Sequence, residues 1–213
     1  MRNIILKGKS EMSLSEIRFL PISRGTLILL RQKAEMIERG KSVLEMRREQ
    51  LVKEIFLISR KLKERASIEH EYIRALEDIS RLRLLVGEVH FHSMVSLIVP
   101  PKIEILPTSI QGVTVPQARI LEEPDLSKIY DPEFIRVFKR LWNAVRALIE
   151  IANLEVAVER LSEHLAYVNR IVNSLERSII PMYKKYISYV EERIEEEMIE
   201  EFVKLKGLNE VNK

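Results

Sequence analysis

The sequence has no cysteine, which excludes a disulfide framework, a thiolate metal site and a cysteine nucleophile. Its 213 residues include only six glycines and eight prolines, few punctuating residues for the length. No window approaches the roughly 18 apolar residues of a membrane span, and the opening apolar patch at 4–6 is too short for a signal peptide. From this the chain is expected to stay inside the cell and outside the bilayer. A phosphate-binding loop is missing too. "GKS" at 40–42 follows "EMIER" in a helical pattern and lacks the earlier glycine and preceding strand that such a loop needs.

What is present is charge and helical periodicity. Charged residues make up 31% of the chain and apolar ones 46%, which suggests a large surface for the enclosed volume. The net charge of +3 is unevenly spread. Residues 1–85 hold 19 Lys and Arg against 12 acids, residues 86–129 hold 3 against 5, and residues 130–213 hold 13 against 15. Acids are interleaved with bases throughout the basic part, so no clustered footprint for nucleic acid emerges.

From Ser23 to about Val86 the pattern is helical. One heptad line, Leu30, Ile37, Leu44, Leu51, Ile58, Arg65, Tyr72, Ile79 and Val86, has a single charged break. Its companion, Leu27, Ala34, Lys41, Arg48, Ile55, Leu62, Glu69, Leu76 and Arg83, is compromised by charge. This is a coiled-coil seam with one good rail and one poor one. A second helix is predicted over 130–206, with Asp131 as N-cap, Pro132 at the first helical position and Glu133 in the first turn. Its stripe reads Ile135, Phe138, Trp142, Val145, Ile149, Ala152, Val156. After a phase shift it continues Leu161, Leu165, Val168, Val172, Leu175, Ile179, Met182, Tyr186, and after another Val190, Ile194, Met198, Phe202, Leu205. Pro181 should kink it.

Residues 87–129 hold five of the eight prolines and lose the helical period. "IEIL" at 103–106 and "VTV" at 113–115, joined through "PTSIQG", read as the arms of a small β-hairpin. The expected fold is therefore predominantly α: a long antiparallel two-helix coiled coil with a hairpin-containing middle. Residues 1–22 form an N-terminal extension, 23–86 and 130–206 the helices, 87–129 the irregular middle and 207–213 a tail. A hairpin of helices would bring both chain ends to one tip. A crude register sets the acidic run 191–201 against residues 15–25, with Arg18 and Arg24 as partners.

Catalytic and ligand signatures are not found. His70 and His164 stand alone among charges, while His90 and His92 would share a face only if "HFH" were extended, and two imidazoles without a third ligand do not make a zinc site. The glutamates are strung along helices and do not converge. No cofactor is expected. The remaining readings are a mechanical shaft or a passive coiled-coil scaffold or adaptor.

The ordered segments resemble the D subunit of the archaeal and vacuolar type rotary ATPases. "PISRGTLILLRQKAEMIERGKSVLEMRREQL" at 21–51 is similar to the family's opening, with Gly40, Leu44, Arg47, Arg48, Glu49 and Leu51 in its pattern. "GVTVP" at 112–116 resembles its middle turn, and "RIVNSLERSIIP" at 170–181 with "EEFVKLK" at 200–206 its closing signature. Ser23, Val43 and Ile171 depart from common family residues, and about 20 residues precede Pro21.

The resemblance implies a non-catalytic central-stalk rotor shaft in an ion-translocating ATP synthase. Its tip would enter the hexamer of A and B subunits, its side would be gripped by the F subunit and its far end would seat in the C subunit. It would lie peripherally on the cytoplasmic side of the cell membrane. Arg24, Arg31, Lys41, Arg47, Arg48 and Glu201 are the implied hexamer contacts, and Gly112, Val113, Val115 and Pro116 the implied docking residues of the middle.

Overall fold

A computed structural model describes residues 22–211, with side-chain placement through 206. The N-terminal extension and Arg18 therefore lie outside the described residues, apart from Ile22. In chain order the elements are helix α1 (Arg24–Lys61), a 3-10 turn (Leu62–Glu64), α2 (Arg65–Val86), α3 (Glu88–Val95), strands β1 (Lys102–Ile110) and β2 (Val113–Glu122), α4 (Pro132–Ser174), a π segment (Leu175–Ile179) and α5 (Ile180–Val211). The predicted class is what is found: two long helical stretches around a short antiparallel β-hairpin. Two compact units divide the chain, one built from residues up to Glu45 with those from Arg170 onward, the other from Met46–Asn169.

In the first unit Ser23 starts α1. Its hydroxyl accepts the Thr26 amide at 3.1 Å, satisfying one of the donors that a helix start leaves open. Leu30 is buried with Tyr183, Val190 and Ile194, and Leu27, Ala34 and Ile37 pack against that cluster from α1. The two helices run antiparallel: Arg31 pairs with Glu191 at 2.6 Å, Glu38 with Lys184 at 3.1 Å and Lys41 with Glu176 at 3.2 Å. The acidic run thus begins opposite Arg31, several residues further along α1 than the crude register sets it. Pro181 lies two residues beyond the end of the π segment. Widening the helix there accommodates a residue with no amide and a ring that crowds the preceding turn. The helix then continues past Gly207 to Val211.

In the second unit the good rail points inward at Leu51 and Ile58, both buried. After the 3-10 turn the companion rail moves back one residue. Ala75 and Leu82 are buried while Glu69, Leu76 and Arg83 are exposed. A 3-10 turn winds three residues per turn, so passing through it rotates the following helix relative to the α-helical phase. The charges that break the companion rail at 69 and 83 are simply outside the seam. The stripe of α4 is displaced in the same sense. Phe134, Val137, Ala144 and Ile151 are buried, whereas the expected Ile135, Phe138, Trp142 and Val145 are half-buried and Ala152 is exposed. Two neighbours share this helix, the α2 side and the hairpin, so its covered face is wider than one heptad seam.

The middle contains a helix that periodicity did not reveal. Gly87, at φ 85°, ends α2 and lets the chain start α3 at once. "HFH" is therefore helical, not extended, and His90 and His92 are both exposed. Phe91 and Met94 face inward, joining Leu82, Ile129, Phe134 and Val137 in a small core. Its rings meet at centroid distances of 5.8 Å (Phe91 and Phe134) and 6.2 Å (Phe134 and Phe138). Asp131 caps α4 as expected, its carboxylate accepting the amides of Glu133 at 2.9 Å and Phe134 at 3.3 Å.

The hairpin is longer than its sequence signal. Most of "PTSIQG" belongs to β1, leaving Gln111 and Gly112 as a two-residue loop. Both have positive φ, 49° and 71°, the type I′ arrangement whose twist matches the flanking strands. Pro107 faces Pro116 across the ribbon. Counting back from the closing Ile110 and Val113 pair, this is a position where both amides would point away from the partner strand, so neither proline breaks the ladder.

Candidate functional site

The predicted contact residues divide between the units. In the first, the Arg24 guanidinium donates to Met198 Sδ at 3.0 Å, and Arg31 is paired with Glu191. Lys41 occupies a half-buried position on the companion rail, where it reaches Glu176 at 3.2 Å and Glu45 at 3.5 Å. The hydrogen bond to Glu176, reinforced by the two carboxylate charges, holds its ammonium above the ordinary pKa. A long cation thus sits on an apolar seam because its head snorkels to carboxylates at the edge. Glu201 is exposed near the end of α5.

In the second unit Arg47 is turned to the hairpin, donating to the carbonyl of Gln111 in the loop. Gly112 lies so close that a Cβ there would stand 3.2 Å from Arg47 Nη2. Arg48 is half-buried beside it. Val115 is buried, Val113 half-buried and Pro116 exposed.

A residue that sequence reading missed fixes the other end of the ribbon. Asn153 on α4 accepts the Ala118 amide at 2.8 Å and donates to the Ala118 carbonyl at 2.9 Å. Ala118 stands where β2 would turn its amide and carbonyl to the free edge, so the Asn153 amide takes the place of a further strand. Arg146, seven residues earlier on the same stripe, pairs with Glu123 at 3.0 Å. The signal for this was a lone amide in the apolar run "IANLEVA".

Also unrecognised was the face around Gly87. Leu84, Leu85 and Val89, within six residues of chain around Gly87, are 84–86% exposed, and Tyr130 before α4 is 92% exposed; large apolar side chains this bare are candidates for contact with a partner. Nearby, Arg83 grips Glu88 through two guanidinium nitrogens, and His92 stands 3.1 Å from the same carboxylate. The hydrogen bond from Arg83 is the main cause of the lowered Glu88 pKa.

Among the described residues no three His, Asp or Glu side chains gather as a metal site, and no helix is long and apolar enough to cross a membrane. The side chains singled out all connect one element to another or present a face to the outside.

Paired antiparallel helices in one unit and a helix-braced two-stranded ribbon in the other define a predominantly α class of protein. The family model for the ATP synthase D subunit matches residues 26–210, and the chain belongs to that family. It is 28% identical over 193 residues to the D subunit of the A-type ATP synthase of Methanosphaera stadtmanae, covering 86% of this chain and 90% of that protein. With the D subunit of the A-type ATP synthase of Pyrococcus abyssi it shares 28% identity over 92% of this chain and 96% of the relative. The corresponding protein of Pyrococcus furiosus is 29% identical over 91% and 94%.

Proposed function

We propose that this chain is the central-stalk rotor shaft of an A-type or V-type ATP synthase, transmitting torque between the A/B catalytic hexamer and the membrane rotor ring. It carries out no catalysis itself. The observation that carries this reading is the extent of the family match, which takes in both long helical stretches and the hairpin together. A passive adaptor would need the helices but not the same ribbon between them.

In this role the first unit enters the hexamer, with Arg24, Arg31, Lys41 and Glu201, joined by Arg47 and Arg48, as the polar contacts. Exposed ion pairs are individually weak and salt-screened, which suits a surface that must be held and released at each step. Gly112, Val113 and Pro116 form a docking element for the F subunit, and Val115, being buried, supports it from within. The bare side chains of Leu84, Leu85 and Val89 around Gly87 seat in the C subunit, above the membrane and without insertion.

Reconstitution tests this directly. The chain should co-purify with the A and B subunits and be required for ATP-driven rotation. Failure to join that hexamer, with the chain folded, would leave the adaptor reading. Replacing Leu84 and Leu85 by Lys should weaken binding of the C subunit while sparing assembly with A and B.

A further inference from the structure

Beside the small core that α3 makes with α2 and α4 lies a cavity of about 170 Å³. Leu82 lines it from α2, Phe91 and Val95 from α3, and Phe134, Val137 and Phe138 from α4. No polar atom reaches its wall. A water molecule settles in such a space only with about two to four hydrogen-bond partners, and here it would find none. The short α3 is tied down at its ends. Gly87 turns the chain with φ 85° and Arg83 grips Glu88 on one side, while Val99 bridges Asp125 beyond the other. Between these ties Phe91 and Met94 face the core, and Val95 next to them is 40% exposed. The cavity therefore opens to the outside past the Val95 side chain.

We propose that this cavity is a binding site for one small, uncharged, apolar molecule about the size of a benzene ring, and that its occupant fastens α3 to α4. Size is the first reason. A cavity of about 150 Å³ lined by Leu, Ile and Phe side chains stays dry and takes benzene. The chemistry of the wall is the second. Phe91 lies 5.8 Å from Phe134, and Phe134 lies 6.2 Å from Phe138, between ring centroids, so a further ring joins an array already at the spacing where aromatic groups attract one another. A polar or charged ligand would lose its hydration and gain no partner. Dispersion is the third. Side chains around an empty space forfeit contacts on that side, and an apolar occupant restores them. Because the wall is shared, the occupant touches α3 and α4 at once, adding to the hold that Phe91 and Met94 provide.

The test uses the full chain with labelled Leu and Val methyl groups and benzene as the probe. Titration to the solubility limit should shift the Leu82, Val95 and Val137 methyl signals along a saturating curve and slow amide exchange in α3 at least about twofold. Phenol, the same ring with a hydroxyl that would be buried unpaired, should need about tenfold or more higher concentration. Val95→Phe fills the cavity from its mouth and Val137→Leu from the α4 wall, and each should weaken benzene binding by about tenfold or more. Either folded variant suffices. His90→Phe, the same ring added at an exposed position of α3, should bind benzene as the unmodified chain does. Shifts that never saturate, or that are as large at the exposed Leu84 and Leu85, would mean general partition onto apolar surface and would overturn the proposal. Equal binding of phenol and benzene, undiminished binding in a folded filled variant, or unchanged exchange in α3 at saturation would each overturn it too.

Discussion

Arg47 on α1 donates a hydrogen bond to the carbonyl of Gln111, tying the loop of the hairpin to a helix 64 residues earlier in the chain. This assigns one of two adjacent arginines an internal partner. Arg47→Gln should raise amide exchange in the loop and at the strand ends while leaving the helical signal intact, at a cost of about 1 kcal/mol in melting free energy. Arg48→Gln should leave loop exchange unchanged. If replacing Arg47 and Arg48 together by Gln lowers coupling of ATP hydrolysis to rotation, the single variants separate a loosened ribbon (Arg47) from lost hexamer contact (Arg48).

Gly112 combines φ of 71° with the nearby Arg47 guanidinium. Gly112→Ala should cost about 1–2 kcal/mol, because a Cβ is disfavoured in the left-handed region. Gly112→Asn should cost less, since Asn tolerates that conformation in this turn. Comparison of thermal melts checks the order. Equal losses would point to the Arg47 contact, which any Cβ disturbs, as the main cause.

Asn153→Ala removes both hydrogen bonds to Ala118 and strands the β2 edge. A loss of about 1–3 kcal/mol is expected, with faster exchange at Ala118. Asn153→Asp keeps an acceptor for the amide but loses the donor to the carbonyl, so its loss should be intermediate.

Leu30 is fully buried against Tyr183, Val190 and Ile194. Leu30→Ala should cost about 2–5 kcal/mol through lost transfer energy and the cavity left behind. Leu29→Ala, on the exposed neighbouring position, should stay within about 0.5 kcal/mol.

The Arg83 hydrogen bond lowers the Glu88 pKa below its ordinary 4.5. A carboxylate with a depressed folded-state pKa contributes stability that is present above the ordinary value and lost as pH falls through the folded one. Unfolding followed from neutral to acidic pH should therefore show a loss beginning below about pH 4.5. In Glu88→Gln the wild-type and variant stabilities should converge at the acidic end. A constant gap between them would show that the bond contributes nothing charge-dependent.

The two long helical stretches were legible because their apolar residues recur at a helical period over many turns, and no pairing elsewhere in the chain is needed to read that. The Asp131 cap and the ribbon at 103–115 were also local, the first set by a side chain two and three residues from its amides, the second by clustered turn residues. Which residue of each stripe is buried was not local. Ala75 replaced Leu76, and Ala144 and Ile151 went deeper than Val145 and Ala152, because a 3-10 turn and a second neighbour rotated or widened the covered face. The short α3 escaped notice since eight residues give little more than two turns of period, and its two inward residues matter only once Phe134 is beside them. Arg47 and Asn153 show the same division. Sequence determined that a long cation and a lone amide stand on helix surfaces, but a hydrogen bond needs its acceptor within about 3 Å. Only the folding of the hairpin between α1 and α4 brought Gln111 and Ala118 to them.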